Sequence, residues 1–171
     1  MNVNPCSHGI SGRGSLGGIG GANYAVRMRR IKDGASKTVA VDELRAGLNP
    51  DDLRGCWAMP GLAAGTAALF GDANSPNAPG GNADDMENCE VAGLAGDGSQ
   101  GMGCFDTDST GQMAARSTHT GGVHVLMVDG SARLINDDID SEAGQTECGP
   151  EPYGVWQAMH TRDGGELIDE S

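Results

Sequence analysis

His119-Thr-Gly-Gly-Val-His-Val-Leu-Met-Val-Asp-Gly-Ser-Ala-Arg-Leu-Ile-Asn136 is the stretch that decides the fold. Gly122–Val128 reads as the strongest strand of the chain, and Ser131–Ile135 as its return strand. Asp129-Gly130 between them is a favoured pair for a two-residue hairpin turn. Strand alternation puts Val123, Val125 and Met127 on one face, and His124, Leu126 and Val128 on the other. One face of this hairpin therefore packs on a core, and a small antiparallel sheet is expected around it.

The flanking sequence supplies shorter elements. Tyr24–Ile31 leads into a turn at Lys32-Asp33-Gly34, and Thr38–Val41 reads as a strand ending at Asp42-Glu43. Gly55–Met59 reads as a further strand, stopped by Pro60 and Gly61. Between Ala63 and Gly111 the chain is dominated by Gly, Asn, Asp, Ser and Pro, without sustained periodicity, so long loops are expected. Pro152–Arg162 is a short helix with Val155, Trp156 and Met159 on one side, ended by Gly164-Gly165. Trp57 and Trp156 are expected to be core anchors, because aromatics are only 4% of the chain. The fold class is α+β with β dominant.

At 171 residues with 29 glycines, the chain suits one irregular, loop-rich domain. We place that domain at residues 22–171, behind a Gly-rich basic arm at 1–21. Five cysteines, Cys6, Cys56, Cys89, Cys104 and Cys148, fit no zinc spacing. They point to disulfides and an oxidising compartment. Cys89 and Cys104 could close one loop, and the odd number leaves a cysteine free or paired between chains. No stretch is long and apolar enough to span a membrane, and no leader or long apolar helix opens the sequence.

The formal net charge is −13, which disfavours nucleic acid as a partner. The charge is also split along the chain. Residues 1–32 hold Arg13, Arg27, Arg29, Arg30 and Lys32 and no acid, so all 24 acidic residues lie beyond them. The basic segment either folds back on its own acidic body or docks on a neighbouring subunit.

Few residues arrange themselves for chemistry. His119 and Asp129 invite reading as a catalytic pair, but turn geometry accounts for Asp129 and a backbone hydrogen bond near the strand start for His119. No nucleophile or metalloprotease motif accompanies them. Gly12-Arg-Gly-Ser-Leu-Gly17 matches a dinucleotide fingerprint but follows no strand. Asp106 and Asp108, two apart and followed by Gly111, resemble the opening of a calcium loop, although Ser117 stands where such loops carry Glu. Asp84, Asp85 and Glu87 form a second acidic cluster. These carboxylates either hold calcium or lie in a solvated loop, and the sequence suggests no other cofactor.

Ser117-Thr-His119 followed by Gly121-Gly122 and, with nine residues between it and the histidine, Asp129-Gly130-Ser131 with Arg133 resembles the H-x(9)-D-G signature of the bacterial prepilin-type proteins grouped as domain of unknown function 1559. Asp33, Gly34, Ser36, Thr38 and Glu43 resemble an earlier block of that family, with Ala35 and Lys37 in place of its usual Thr and Asn. Trp156, Thr161, Arg162, Gly164 and Gly165 resemble its closing block, and Trp57 stands near a family tryptophan. The resemblance spans roughly residues 20–171. It implies a pilin-like globular part, and family members usually begin with a prepilin leader and apolar helix that this sequence lacks.

The expectation is then a non-catalytic structural subunit of an extracellular, cell-surface filament. In this reading the basic arm of one copy lies on the acidic body of the next, giving a helical homopolymer. The rival expectation is a monomeric module that binds surface polysaccharide or peptide through the long loops. A hydrolase is disfavoured because no catalytic constellation is visible.

Overall fold

The computed structural model describes residues 19–21, 24–55, 75–80, 84–96, 99–106, 114–141 and 154–162. Its strands are β1 (Gly20–Gly21), β2 (Tyr24–Ala25), β3 (Val39–Asp42), β4 (Asp84–Met86), β5 (Cys104–Asp106), β6 (Gly122–Met127) and β7 (Ala132–Asn136), and its one α-helix among the described residues is α1 (Val155–Ala158). The fold is α+β with β dominant, as the sequence reading expects.

The hairpin β6–β7 forms the centre and one edge of a three-stranded antiparallel sheet of order β3-β6-β7. Val123, Val125 and Met127 are buried, while Leu126 is exposed, so the alternation read from the sequence holds. The turn differs from expectation. The Met127 amide donates to the Ser131 carbonyl, the Gly130 amide donates to the Met127 carbonyl, and Gly130 has φ 87°. A two-residue type I′ turn would need positive φ at both Asp129 and Gly130, but only Gly130 has it. The connection is a three-residue loop with glycine in the left-handed position. The Asp129 carboxylate closes it, accepting from the Ser131 amide at 2.8 Å and hydroxyl at 2.7 Å.

A bulge in β3 decides the other half of the sheet. Val39 pairs with Met127, but Val41 pairs with Leu126 and Asp42 with Val125. The extra residue reverses the facing of everything beyond it. Val39 is buried and Val41 is 56% exposed, although two residues apart they would ordinarily share a face. Asp42 consequently lies on the core side and Glu43 on the open side.

The core-side face is covered by α1. Val39, Ala115, Val123, Val125, Met127, Trp156, Ala158 and Met159 form one buried cluster, with Ile135, Ile139 and Val155 at its margin. The helix is shorter than the expected Pro152–Arg162. After Ala158 the chain turns to bind the first block instead: Val39 donates to the Met159 carbonyl at 2.8 Å, and Lys32 to the Arg162 carbonyl at 2.7 Å. Past Ala158 the backbone tightens to three-residue bonds, His160 donating to Gln157 and Thr161 to Ala158. Gly164 and Gly165 lie outside the described residues, as do Trp57 and most of the expected strand Gly55–Met59.

The segment expected as loops is not wholly irregular. β4 and β5 pair in parallel, and a disulfide joins Cys89 to Cys104. Both cysteines are buried with Met86, Ala92 and Leu94 in a second small cluster. This cross-link bridges a separation of 15 residues, a loop for which closure stabilises by about 3 kcal/mol. Residues 1–18 lie outside the described residues. The last of the expected arm, Gly20–Gly21, pairs antiparallel with Tyr24–Ala25.

Candidate functional site

The three blocks that carry the family resemblance converge on one sheet. Gly34 takes φ 103°, and its carbonyl accepts from the Thr38 amide at 3.1 Å and the Thr38 hydroxyl at 3.2 Å. The Ala35 and Thr38 carbonyls accept from Asp129 and Val128 of the hairpin. The Thr161 hydroxyl donates to the Ala158 carbonyl at 3.0 Å and lies 3.5 Å from an Asp33 carboxylate oxygen. Ser36 sits exposed on the turn between them. These residues are turn makers and clamps, which explains their types without invoking catalysis.

Two glycines in the hairpin entry have separate jobs. Gly121 has φ 81°, a conformation that L side chains rarely adopt. Gly122 passes so close to β7 that a Cβ there would collide with the Ile135 carbonyl. The Ser117 hydroxyl donates to the Gly122 carbonyl at 2.6 Å and accepts from the His119 amide at 3.1 Å. The chain is thereby curled back over the open face of the sheet.

That curl brings His119 beside His124. Their rings meet edge to face, with centroids 4.5 Å apart. Between them stands Glu43, delivered to the open face by the β3 bulge. Glu43 Oε1 is 3.1 Å from His119 Nε2, and Oε2 is 3.4 Å from His124 Nδ1. Oε2 also accepts the His124 amide at 2.8 Å, and the Glu43 amide donates to the His124 carbonyl at 3.0 Å. Both rings are half exposed, and Glu43 is partly covered. The His119 ring thus turns to a carboxylate, not to the backbone group the sequence reading assigned it. His119 and Asp129 stand at opposite ends of β6, so they form no pair. Alternation marks His124 only as an outward-facing residue, and nothing in the local pattern points to its partner.

The calcium reading fares differently at its two sites. Asp106 is exposed at the end of β5, and Asp108 lies outside the described residues. The cluster Asp84, Asp85 and Glu87 does not act as one group. Asp84 is fully buried and clamped by two guanidiniums: Arg54 Nη1 donates to its Oδ2 at 2.8 Å, and Arg116 donates at 3.0 and 3.1 Å. The Ala114 amide adds a bond to Oδ1 at 3.0 Å. Asp52 receives two further bonds from Arg54, both 2.9 Å. Burial opposes its charge, but Arg54 and the Leu48 and Arg54 amides outweigh that and hold its carboxyl below the usual range. Two cations and two anions cancel, so this network ties three distant segments together without net charge.

The described residues of the basic segment belong to the body. Arg27, Arg29, Arg30 and Lys32 are all exposed on or beside a 3-10 turn at Met28–Arg30. The backbone behind them is anchored by the bonds of Lys32 and Asp33 to Arg162. Arg13 lies outside the described residues. The open face of the sheet adds exposed apolar residues on all three strands: Val41 pairs directly with Leu126, and Leu134 stands opposite His124, diagonal to Leu126.

No helix among the described residues is long and apolar enough to cross a membrane. The chain matches no curated protein and no solved structure. A family model described as a protein of unknown function, DUF1559, matches residues 5–142, and the chain belongs to that family. The match includes the first block and the hairpin and ends before the Trp156–Arg162 block.

Proposed function

We propose that this member of the DUF1559 family is a non-catalytic structural subunit of a pilin-like filament on the bacterial cell surface. The observation that carries the reading is the exposed cationic cluster Arg27, Arg29, Arg30 and Lys32 on a chain of net charge −13. A basic patch on an acidic body is self-complementary head to tail, and repeated contacts of that kind build an open helical polymer. Residues 1–21 carry one further cation, Arg13, and no acid. The exposed apolar residues Val41, Leu126 and Leu134 supply area for a contact to bury. The buried disulfide supports an oxidising, extracellular location.

A second reading keeps the chain monomeric, as a module for surface polysaccharide or peptide. It is favoured by a polar depression lined by Arg45, Asn77, Gln100, Ser117 and Asp137.

Negative-stain microscopy of the native protein at low and high salt separates the two. Filaments that shorten or vanish with salt support the polymer. The triple variant Arg27→Glu, Arg29→Glu, Arg30→Glu should remain folded and monomeric, and so should a chain lacking residues 1–21. Filaments that persist in both variants would remove the basic segment as the connector. Glycan-array binding by a strict monomer would favour the second reading.

A further inference from the structure

We propose that Glu43, His119 and His124 form a three-ligand site for a divalent transition-metal ion of the zinc class. Their donor atoms all lie within 4.8 Å of one another. Each imidazole has a Glu43 oxygen close by, with His119 Nε2 3.1 Å from Oε1 and His124 Nδ1 3.4 Å from Oε2, near the spacing of neighbouring donors on one ion. An ion bonded at 2.0–2.1 Å to tetrahedral N and O donors holds those donors roughly 3.3 Å apart.

The donor set selects the class of ion. Two imidazoles and one carboxylate suit zinc and its neighbours in the first transition row. Calcium and magnesium require shells of oxygen, which a site with two nitrogens in three donors does not offer. This site is therefore distinct in place and chemistry from the calcium reading at Asp106 and Asp108.

An ordinary surface ion pair holds its side chains loosely and contributes little. Here each donor is positioned by backbone. Glu43 and His124 exchange both amide–acceptor bonds, one through the Glu43 carboxylate, so their side chains leave adjacent strands at a fixed register. His119 comes from outside the sheet, and its approach is set by Ser117, Gly121 and Gly122. A donor spacing that spans residues 43 to 124 has no sequence signature, which is why no motif search would find it.

Exposure supplies the rest. Both rings are half exposed, so an ion can enter from the open face. A tetrahedral ion held by three protein donors has a fourth position, directed here to solvent and taken by water. The site does not depend on the filament reading, and its test is made on unassembled protein.

The test uses the full chain, stripped of metal with a chelator and with free thiols alkylated so that cysteines cannot compete. Titration with zinc by calorimetry should give one equivalent bound, calcium should give none, and cobalt(II) should show the visible bands of a four-coordinate ion. His119→Ala and His124→Ala should each weaken zinc at least about tenfold. Both rings are outside the core, and circular dichroism checks that each variant is folded. In the unaltered protein, zinc should shift the ring resonances of His119 and His124 and leave those of His160 in place. Absence of zinc binding, or undiminished binding in the double variant His119→Ala/His124→Ala, overturns the proposal.

Discussion

His160 faces Asp42 from the helix side of the sheet, with Nε2 3.0 Å from each carboxylate oxygen and Nδ1 2.8 Å from the Trp156 carbonyl. Both acceptors can only accept, so both ring nitrogens must carry protons, and the ring is an imidazolium when all of these bonds are made. Its edge meets the Trp156 ring, with centroids 4.4 Å apart. The pair joins the bulged end of β3 to the turn after α1, 118 residues away in sequence.

This geometry predicts a pH dependence of stability. Burial alone would push the His160 imidazole down. The Asp42 charge and hydrogen bond, with the Trp156 carbonyl, outweigh it and raise the pKa above its ordinary 6.5. A raised folded value means that the contribution is fully present below the unfolded value and is lost as pH rises through the folded one. Urea melts across that window should show stability falling with rising pH. Asp42→Asn should lower stability by about 1.5–3 kcal/mol on the acidic side and flatten the profile. An unchanged slope in that variant would assign the dependence to another group.

Asp84 predicts a larger effect. It is fully buried between Arg54 and Arg116, and removing its charge leaves both guanidiniums short of a partner. Asp84→Asn nearly preserves volume and should still cost about 3–5 kcal/mol, measured by calorimetric or denaturant unfolding. A loss below about 1 kcal/mol would mean that water replaces the carboxylate and that the site is less dry than its burial indicates.

The hairpin glycines should separate by mechanism. Gly130→Ala meets no neighbouring atom within 4 Å, so its only cost is the left-handed backbone, about 1–2 kcal/mol. Gly122→Ala has an ordinary backbone but drives a methyl into the Ile135 carbonyl, so it must spread β6 from β7. It should destabilise more than Gly130→Ala in denaturant melts. The reverse order would show that the β6–β7 ladder yields easily at its open end.

The sequence by itself determined the hairpin, its inward residues Val123, Val125 and Met127, and the family, and it left Cys89–Cys104 as one open pairing that the structure closes. These depend on local rules, namely alternation, turn chemistry, motif order and short spacing. The turn type is not legible locally, because Asp-Gly serves several hairpin loops and which one forms depends on where the strands' hydrogen bonds begin. Tertiary structure alone decided the rest. One bulge between Val39 and Val41 sends Asp42 to His160 on the core side and Glu43 to His119 and His124 on the open side. Asp84 reads as one of three surface acids until folding surrounds it with Arg54 and Arg116, 30 and 32 residues away. Charge in a sequence has no side and no depth. A strand's register and the closure of the core supply both, and they separate a buried structural carboxylate from one available to a ligand.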